Sequence, residues 1–164
     1  MKSTPAVPSV QTPGPALSEA CAAKIRGSFA AQGMMRHLGA RIVALAPGSA
    51  EIELPFSDQV TQQHGYFHGG AIGALADIVG GYAGYTMIGI DDGILTVEYK
   101  LNIIAPAIGD RLIGRGRVVR SGRTLTVTTA DIFASRDAKE TQVAVMQQTL
   151  FTMPGMEPAA QYSA

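Results

Sequence analysis

Between Gly69 and Ile90 this chain carries a single charged residue, Asp77, and that stretch sets limits on everything around it. Its apolar length approaches that of a membrane span. Against that reading, Asp77 sits near the centre, and glycines stand at 73, 80, 81, 84 and 89. The segments that follow also alternate apolar and polar residues, and such strands need a helix to cover them. The stretch is therefore read as a core helix from about Gly69 to Thr86. A carboxylate inside such a helix costs several kcal/mol unless something compensates it. What compensates Asp77 is the central question the sequence poses.

The rest of the chain supplies the cover. Ser18 is placed to cap a first helix over "EACAAKIRGSFAAQGMMRHL", with Gly27 and Gly33 as weak points. Two short strands follow, "ARIVALA" and "AEIELPF", joined by the turn signal Pro47-Gly48. In the second, Ile52, Leu54 and Phe56 share one face while Glu51 and Glu53 share the other. "SDQVTQQHGYF" reads as a loop or single turn into the long helix. Beyond the helix, "ILTVEYKLNII" alternates Leu95, Val97, Tyr99, Leu101 and Ile103 with Thr96, Glu98, Lys100 and Asn102. "DRLIGRGRVVR" and "RTLTVTTADIFA" flank Ser121-Gly122, a two-residue hairpin signal, and "TQVAVMQQTLF" closes the pattern. The order is helix, two strands, long helix, four strands. One helix covers only one face of a six-stranded sheet, so the sheet curls around it in an α+β domain. The sheet's edges need pairing or protection, and dimerisation is one way to provide it.

A chain of 164 residues suits one such domain. The expected organisation is a disordered Pro-rich leader at 1–17, a single domain at 18–153 and a flexible tail at 154–164. The leader has four prolines in its first fifteen residues and no apolar run of the kind a secretory signal needs. A formal net charge of zero and the absence of Trp argue against a nucleic-acid binder. The single cysteine, Cys21, cannot form an intramolecular disulfide or a cysteine-rich zinc site and fits a reducing cytoplasm.

Two chemical features meet in "HGYFHGGAIGALADIVGGYAGYT". "HGG" stands where the loop enters the helix, where first-turn N–H groups lack intrahelical partners and the macrodipole is positive. A carbonyl oxygen gaining negative charge would be stabilised there. Asp77 offers a carboxylate in apolar surroundings, which raise its pKa and its basicity. Together they are the minimum for acyl transfer to water. Yet Gly69 and Asp77 are eight residues apart, about 12 Å along a helix, too far to meet one carbonyl. If both serve one substrate, Asp77 must face the helix start of a second subunit, giving two composite sites per two-fold dimer. The plainer reading is that Asp77 bonds a buried hydroxyl or pairs with an arginine. The glycines alone can mean only close packing, since "HGYFHGG" lacks the spacing of a dinucleotide or P-loop fingerprint.

The same segment closely resembles the hotdog-fold acyl-CoA thioesterases of the phenylacetate-degradation (PaaI-like) type. Their G-x-x-H-G-G, with an aspartate seven residues after the last glycine, is matched here by Gly65, His68, Gly69, Gly70 and Asp77. "LTVEYKLNIIAPAIGD" and "GRVVRSGRTLTVTTADIFA" resemble them too, and the likeness covers roughly residues 34 to 152. The resemblance implies a hotdog fold: a long central helix wrapped by a curved antiparallel sheet of about six strands, here with an extra N-terminal helix. It implies that Asp77 activates water or attacks the thioester carbon, with the Gly69 amide polarising the carbonyl from the partner subunit. Thr96, on the strand after the helix, would help position that water. Many members carry asparagine six residues before the motif histidine. This chain has Gln62 there, with Gln63 and His64 as neighbours of similar hydrogen-bonding ability, so any of the three is a candidate substrate contact.

His64 and His68 are four residues apart but precede the helix and have no obvious third ligand, so no metal is expected. His68 is expected to fix the loop's hydrogen bonds, and Gly70 to lie at the substrate. Arg111, Arg115, Arg117, Arg120 and Arg123 cluster in an otherwise neutral chain. Coenzyme A carries phosphates that arginine recognises, and Arg120 and Arg123, flanking the hairpin, are the candidates. Arg111 and Arg115 read as a solvated strand face. The expected reaction is hydrolysis of an acyl-CoA to a carboxylic acid and CoA. It needs no cofactor, because CoA is part of the substrate. The expected partners are the acyl-CoA and a second copy of the chain, as a homodimer or a dimer of dimers, with neither nucleic acid nor membrane. Two alternatives stay open: an enoyl-thioester hydratase or dehydratase, pairing His64 or His68 with Asp77, and a non-catalytic acyl-CoA-binding module.

Overall fold

The computed structural model describes residues 16–156, so 1–15 of the expected leader and 157–164 of the expected tail lie outside the described residues. Ser18 opens helix α1 (Glu19–Ala31), its hydroxyl accepting from the Cys21 amide at 3.2 Å. The single first helix expected from sequence is two. Gln32 takes an extended conformation (φ −76°, ψ 108°), and a short helix α2 (Gly33–Leu38) follows. The break sits where the Gln32 side chain turns to the Tyr82 hydroxyl at 3.0 Å. Gly39, at φ 70°, ends α2 in the left-handed conformation that glycine adopts without strain.

Strands β1 (Arg41–Ala46) and β2 (Ser49–Pro55) form the first hairpin. The long apolar segment is helix α3 (Gly69–Tyr85). It is followed by β3 (Gly93–Ile103), β4 (Arg111–Ser121), β5 (Leu125–Arg136) and β6 (Lys139–Met153). All six strands form one antiparallel sheet in the order β1-β2-β4-β5-β6-β3. α3 packs against β2, β3, β4, β5 and β6. Its core partners include Ile52, Leu54, Leu112, Ile132 and Leu150, all fully buried. Among the described residues no helix is long and apolar enough to cross a membrane.

Two contacts explain how closely α3 lies on the sheet. A Cβ on Gly116 would meet the Val79 carbonyl oxygen at 2.3 Å, and one on Gly80 would meet Gln148 Oε1 at 2.3 Å. Gly116 admits no side chain as the backbones stand, and one at Gly80 would have to displace the end of the Gln148 side chain. The opposite face of the sheet is charged: Arg41 and Arg111 pair with Glu53, Arg115 with Glu51 and Glu140, and Arg117 with Asp131.

Three local expectations are corrected. Phe56 lies past the end of β2 and is 40% exposed, its ring edge-on to Phe67 at 5.3 Å. The hairpin at Ser121-Gly122 is longer than two residues, because β4 runs through Ser121 and β5 starts at Leu125. The Gly122 amide closes that turn on the Leu125 carbonyl at 2.9 Å. The third correction concerns β3, whose even alternation is interrupted. Thr96 pairs with Leu150 and Glu98 with Thr149, leaving Val97 as an extra residue in a β-bulge. Facing residues of paired strands share a side, so Thr96 joins Tyr99 and Leu101 on the α3 side. In an unbroken strand it would point the other way.

Candidate active site

Asp77 sits at the middle of α3, half-buried, on a cleft of about 340 Å³ between α1, α3 and β3. Its Oδ1 accepts from the Thr96 hydroxyl at 2.8 Å and from Gln148 Nε2. The bulge in β3 brings Thr96 there. Gln148, fully buried on β6, also reaches the Asp77 carbonyl oxygen at 3.2 Å and Thr96 Oγ1 at 2.9 Å. Thr128 Oγ1 donates to Gln148 Oε1 at 3.1 Å, which fixes the amide with its nitrogen toward Asp77. Asp77 Oδ2 has no hydrogen-bond partner among the described residues. The carboxylate is therefore anchored through one oxygen by neutral donors, and the other oxygen is unengaged.

The far wall of the cleft is polar. Tyr82 Oη lies 3.0 Å from both Ser28 Oγ and Gln32 Nε2, and burial pushes the Tyr82 and Tyr85 phenols above their ordinary value. α1 is held over the cleft by Lys24. Its ammonium donates to the Gly89 and Asp92 carbonyls at 2.9 and 2.6 Å and lies 4.4 Å from the Tyr85 ring centre. Burial lowers the Lys24 pKa.

A second group gathers at the start of α3. The chain from Thr61 to Phe67 closes into a tight turn: Gln62 N donates to the Tyr66 carbonyl, and Gly65, at φ 79°, donates to the Gln62 carbonyl. The Gln62 side-chain oxygen accepts from the His64 amide. Gln63 and His64 are exposed and Gln62 is half-buried. His68 is the N-cap of α3, its Nδ1 accepting from the Gly70 amide at 2.8 Å. The Ala71 and Ile72 amides donate to the His68 carbonyl at 3.0 and 3.1 Å. Gly70 thus has its amide taken up within the chain. The Gly69 amide has no acceptor among the described residues.

The arginines form a third group. Arg111, Arg115 and Arg117 are held in ion pairs. Hydrogen bonds to Glu140 and then Glu51 raise the Arg115 pKa above its ordinary value. Arg120 and Arg123 are exposed at the β4–β5 hairpin. Arg120 stands opposite Val127, on the side of the sheet turned from α3.

Within one chain, then, Asp77 and Thr96 come together. Gln62, Gln63, His64, His68, Gly69 and Gly70 collect at the helix start, and Arg120 and Arg123 stand apart from both. Sequence reasoning missed Gln148 and the Ser28–Gln32–Tyr82 group. Gln148 left a trace: it follows Ala144 and Met146 and precedes Leu150 on the inward side of β6, one polar residue in an apolar row. Among the described residues no group of three or more His, Cys, Asp or Glu could hold a metal.

A single helix on one curled antiparallel sheet is the architecture of the hotdog fold, here with a carboxylate at mid-helix and a glycine amide free at its start. Residues 64–141 match the Thioesterase superfamily, and the chain belongs to that family. It is similar to the solved structure of a thioesterase family protein from Silicibacter pomeroyi, at 44% identity and a TM-score of 0.81, over 82% of this chain and 99% of that one. The proofreading thioesterase EntH of Klebsiella pneumoniae is 34% identical over 92 residues, 55% of this chain and 66% of that one. The E. coli PaaI protein from the phenylacetic acid degradation operon shares the fold at 20% identity and a TM-score of 0.76, over 85% of this chain and 98% of that one. Membership in the family supports thioester hydrolysis as the general activity.

Proposed function

We propose that this chain hydrolyses an acyl-CoA thioester to a carboxylic acid and free CoA. The observation that carries this reading is the Asp77 carboxylate, held through Oδ1 by Thr96 and Gln148 with Oδ2 unengaged on a cleft. A carboxylate fixed in that way can take a proton from water as the water attacks the thioester carbon, or attack that carbon itself. In the first route water's oxygen ends on the acyl carbon, and the proton Asp77 took passes to the departing thiolate. In the second an Asp77–acyl anhydride forms as the thiolate leaves. Water then cleaves it, restoring the carboxylate and supplying the proton the thiolate takes up. The acyl group lies in the cleft beside Ile78, Ile94 and Leu150, with Tyr82 at its far end.

The carbonyl oxygen needs a donor that Asp77's own chain supplies only about 12 Å away along α3. The free Gly69 amide of a second copy meets that need. The dimer is supported by β3, an edge strand of eleven residues with Leu95, Val97, Tyr99 and Ile103 each about half exposed. An open apolar edge of this kind is a template for pairing. In the dimer, or a dimer of dimers, each site joins one chain's Asp77 to its partner's helix start. Gln62, Gln63, His64 and His68 then border the thioester. Arg120 and Arg123 receive the CoA phosphates. No metal or further cofactor takes part, and the setting is cytoplasmic.

The test is thiol release from a panel of aryl, arylacetyl and medium-chain CoA thioesters. Asp77→Asn is expected to lower kcat by about a hundredfold to ten-thousandfold with fold and oligomeric state unchanged. Wild-type turnover in that variant would overturn the assignment. A hydratase would leave an enoyl thioester's thiol bound. Within one chain no histidine among the described residues lines the cleft beside Asp77, so a hydratase would have to draw His64 or His68 from the partner, and thiol release from an enoyl thioester separates the two reactions.

A further inference from the structure

Among the described residues Gln148 is the one fully buried side chain that hydrogen-bonds both Asp77 and Thr96, and a buried amide with four polar contacts is rarely an accident of packing. We propose that Gln148 is a positioning residue for hydrolysis. It selects which oxygen of Asp77 reacts, by anchoring Oδ1 and leaving Oδ2 for water or the thioester carbon. The proposal rests on the reading of Asp77 given above.

Three features support it. Thr96 has one hydroxyl proton, and that proton goes to Asp77 Oδ1 at 2.8 Å, so Thr96 Oγ1 can meet Gln148 Nε2 only as an acceptor. The amide therefore orders the hydroxyl as well as the carboxylate. Second, the amide cannot turn over without facing its oxygen to a carboxylate, and the Thr128 hydroxyl holds it from behind at 3.1 Å. Third, the fit depends on an absent side chain. A Cβ at Gly80 would lie 2.3 Å from Gln148 Oε1 and 3.0 Å from Thr128 Oγ1. The glycine one turn beyond Asp77 thus leaves room for the group that orients Asp77.

Both donors act on Oδ1 and neither is charged, so they fix the carboxylate without cancelling its charge. Among the described residues Asp77 is the only charged side chain lining the cleft. Tyr82 and Tyr85 of α3 are its other titratable groups, and α1 and the break after it add Ser28 and Gln32. Glu98 and Lys100 of β3 pair with Thr149 and Gln147 on the opposite side of the sheet.

The test compares wild type, Gln148→Leu and Asp77→Asn on whichever of benzoyl-, phenylacetyl- or octanoyl-CoA is turned over. Gln148→Leu should lower kcat by about tenfold to a hundredfold with KM within about twofold, the signature of a misaimed reacting group. A folded Gln148→Leu protein with wild-type kcat overturns the proposal. Lost kcat accompanied by a matching rise in KM also overturns it, since that pattern assigns Gln148 to packing of the cleft. Should Gln148→Leu fail to fold, Thr128→Val and Gly80→Ala decide the matter. Each disturbs Gln148 without touching Asp77, and each should lower kcat by less, again with KM held. Wild-type values in both overturn the idea. If Asp77→Asn keeps its activity, the hydrolytic reading of Asp77 has failed. If Asp77→Asn is inactive while Gln148→Leu behaves as wild type, only the positioning role has failed.

Discussion

The two faces of the sheet treat their carboxylates differently. On the outer face four acids meet arginines: Glu53 meets Arg41 and Arg111, Glu51 and Glu140 meet Arg115, and Asp131 meets Arg117, while Glu98 on the edge strand accepts from the Thr149 hydroxyl. On the inner face Asp77 meets only a hydroxyl and an amide. An arginine neutralises its partner and occupies its oxygens with a fork of donors. Neutral donors hold a carboxylate in place and leave its charge and one oxygen available. The arginine-paired outer acids are thus organised for solvation, and the inner one for chemistry.

Exchanging the same substitution between the faces gives the largest contrast. Asp131→Asn removes a partly exposed ion pair and should leave thiol release at the wild-type rate, against the loss of about two to four orders of magnitude from Asp77→Asn. Equal effects at the two positions would erase the distinction between the faces. Thr96→Val sharpens it by removing one neutral donor while keeping the shape of the side chain. Hydrogen bonds to charged groups contribute about 1.5–3 kcal/mol, so kcat should fall roughly tenfold to a hundredfold, with the fold intact by circular dichroism. Tyr82→Phe acts further along the cleft. It strips the hydroxyl from Ser28 and Gln32 and should cost about 1 kcal/mol in urea unfolding. The ranking of acyl groups by KM should change more than kcat does.

The smallest effect belongs to Glu140→Gln. Arg115, chiefly through its hydrogen bond, holds the Glu140 carboxyl below its ordinary value. The pair's contribution is therefore present above the unfolded carboxylate's pKa and fades as pH falls through the lower folded value. Glu140 is about one-third exposed, so the loss at neutral pH should stay below about 1 kcal/mol. It should shrink on acidification, and thiol release should not change.

Much of this was legible in the sequence because periodicity and composition act locally. The lone acid in an apolar run located Asp77, and the alternation after it gave four strands of the right order. Ser18 marked the start of α1 because a cap is a short-range bond. What escaped depends on contacts across the fold. The first helix breaks at Gln32, beside the weak point at Gly33, but the reach of Gln32 to Tyr82, fifty residues away, has no local signal. The bulge at Val97 became visible only when the partner strand was known, so a regular alternation put Thr96 on the wrong side. Gln148 showed as one polar residue in an apolar row, but its meaning needed Asp77 opposite it. The arginine cluster met the same limit. The hairpin signal set Arg120 and Arg123 apart from Arg111 and Arg115, but the acids that pair with Arg111, Arg115 and Arg117 come from other strands, and that pairing left no trace in the sequence.

The bulge in β3 has a consequence for how this chain tolerates change in length. Thr96 and Glu98 face consecutive residues of β6, Leu150 and Thr149, so the ladder is complete without Val97. Val97 is a spare in the count. It marks the position in that strand where the loss of one residue leaves these two cross-strand partners in place and still turns Thr96 toward α3. A loss elsewhere along β3 would slip the register and carry the site's hydroxyl to the wrong face.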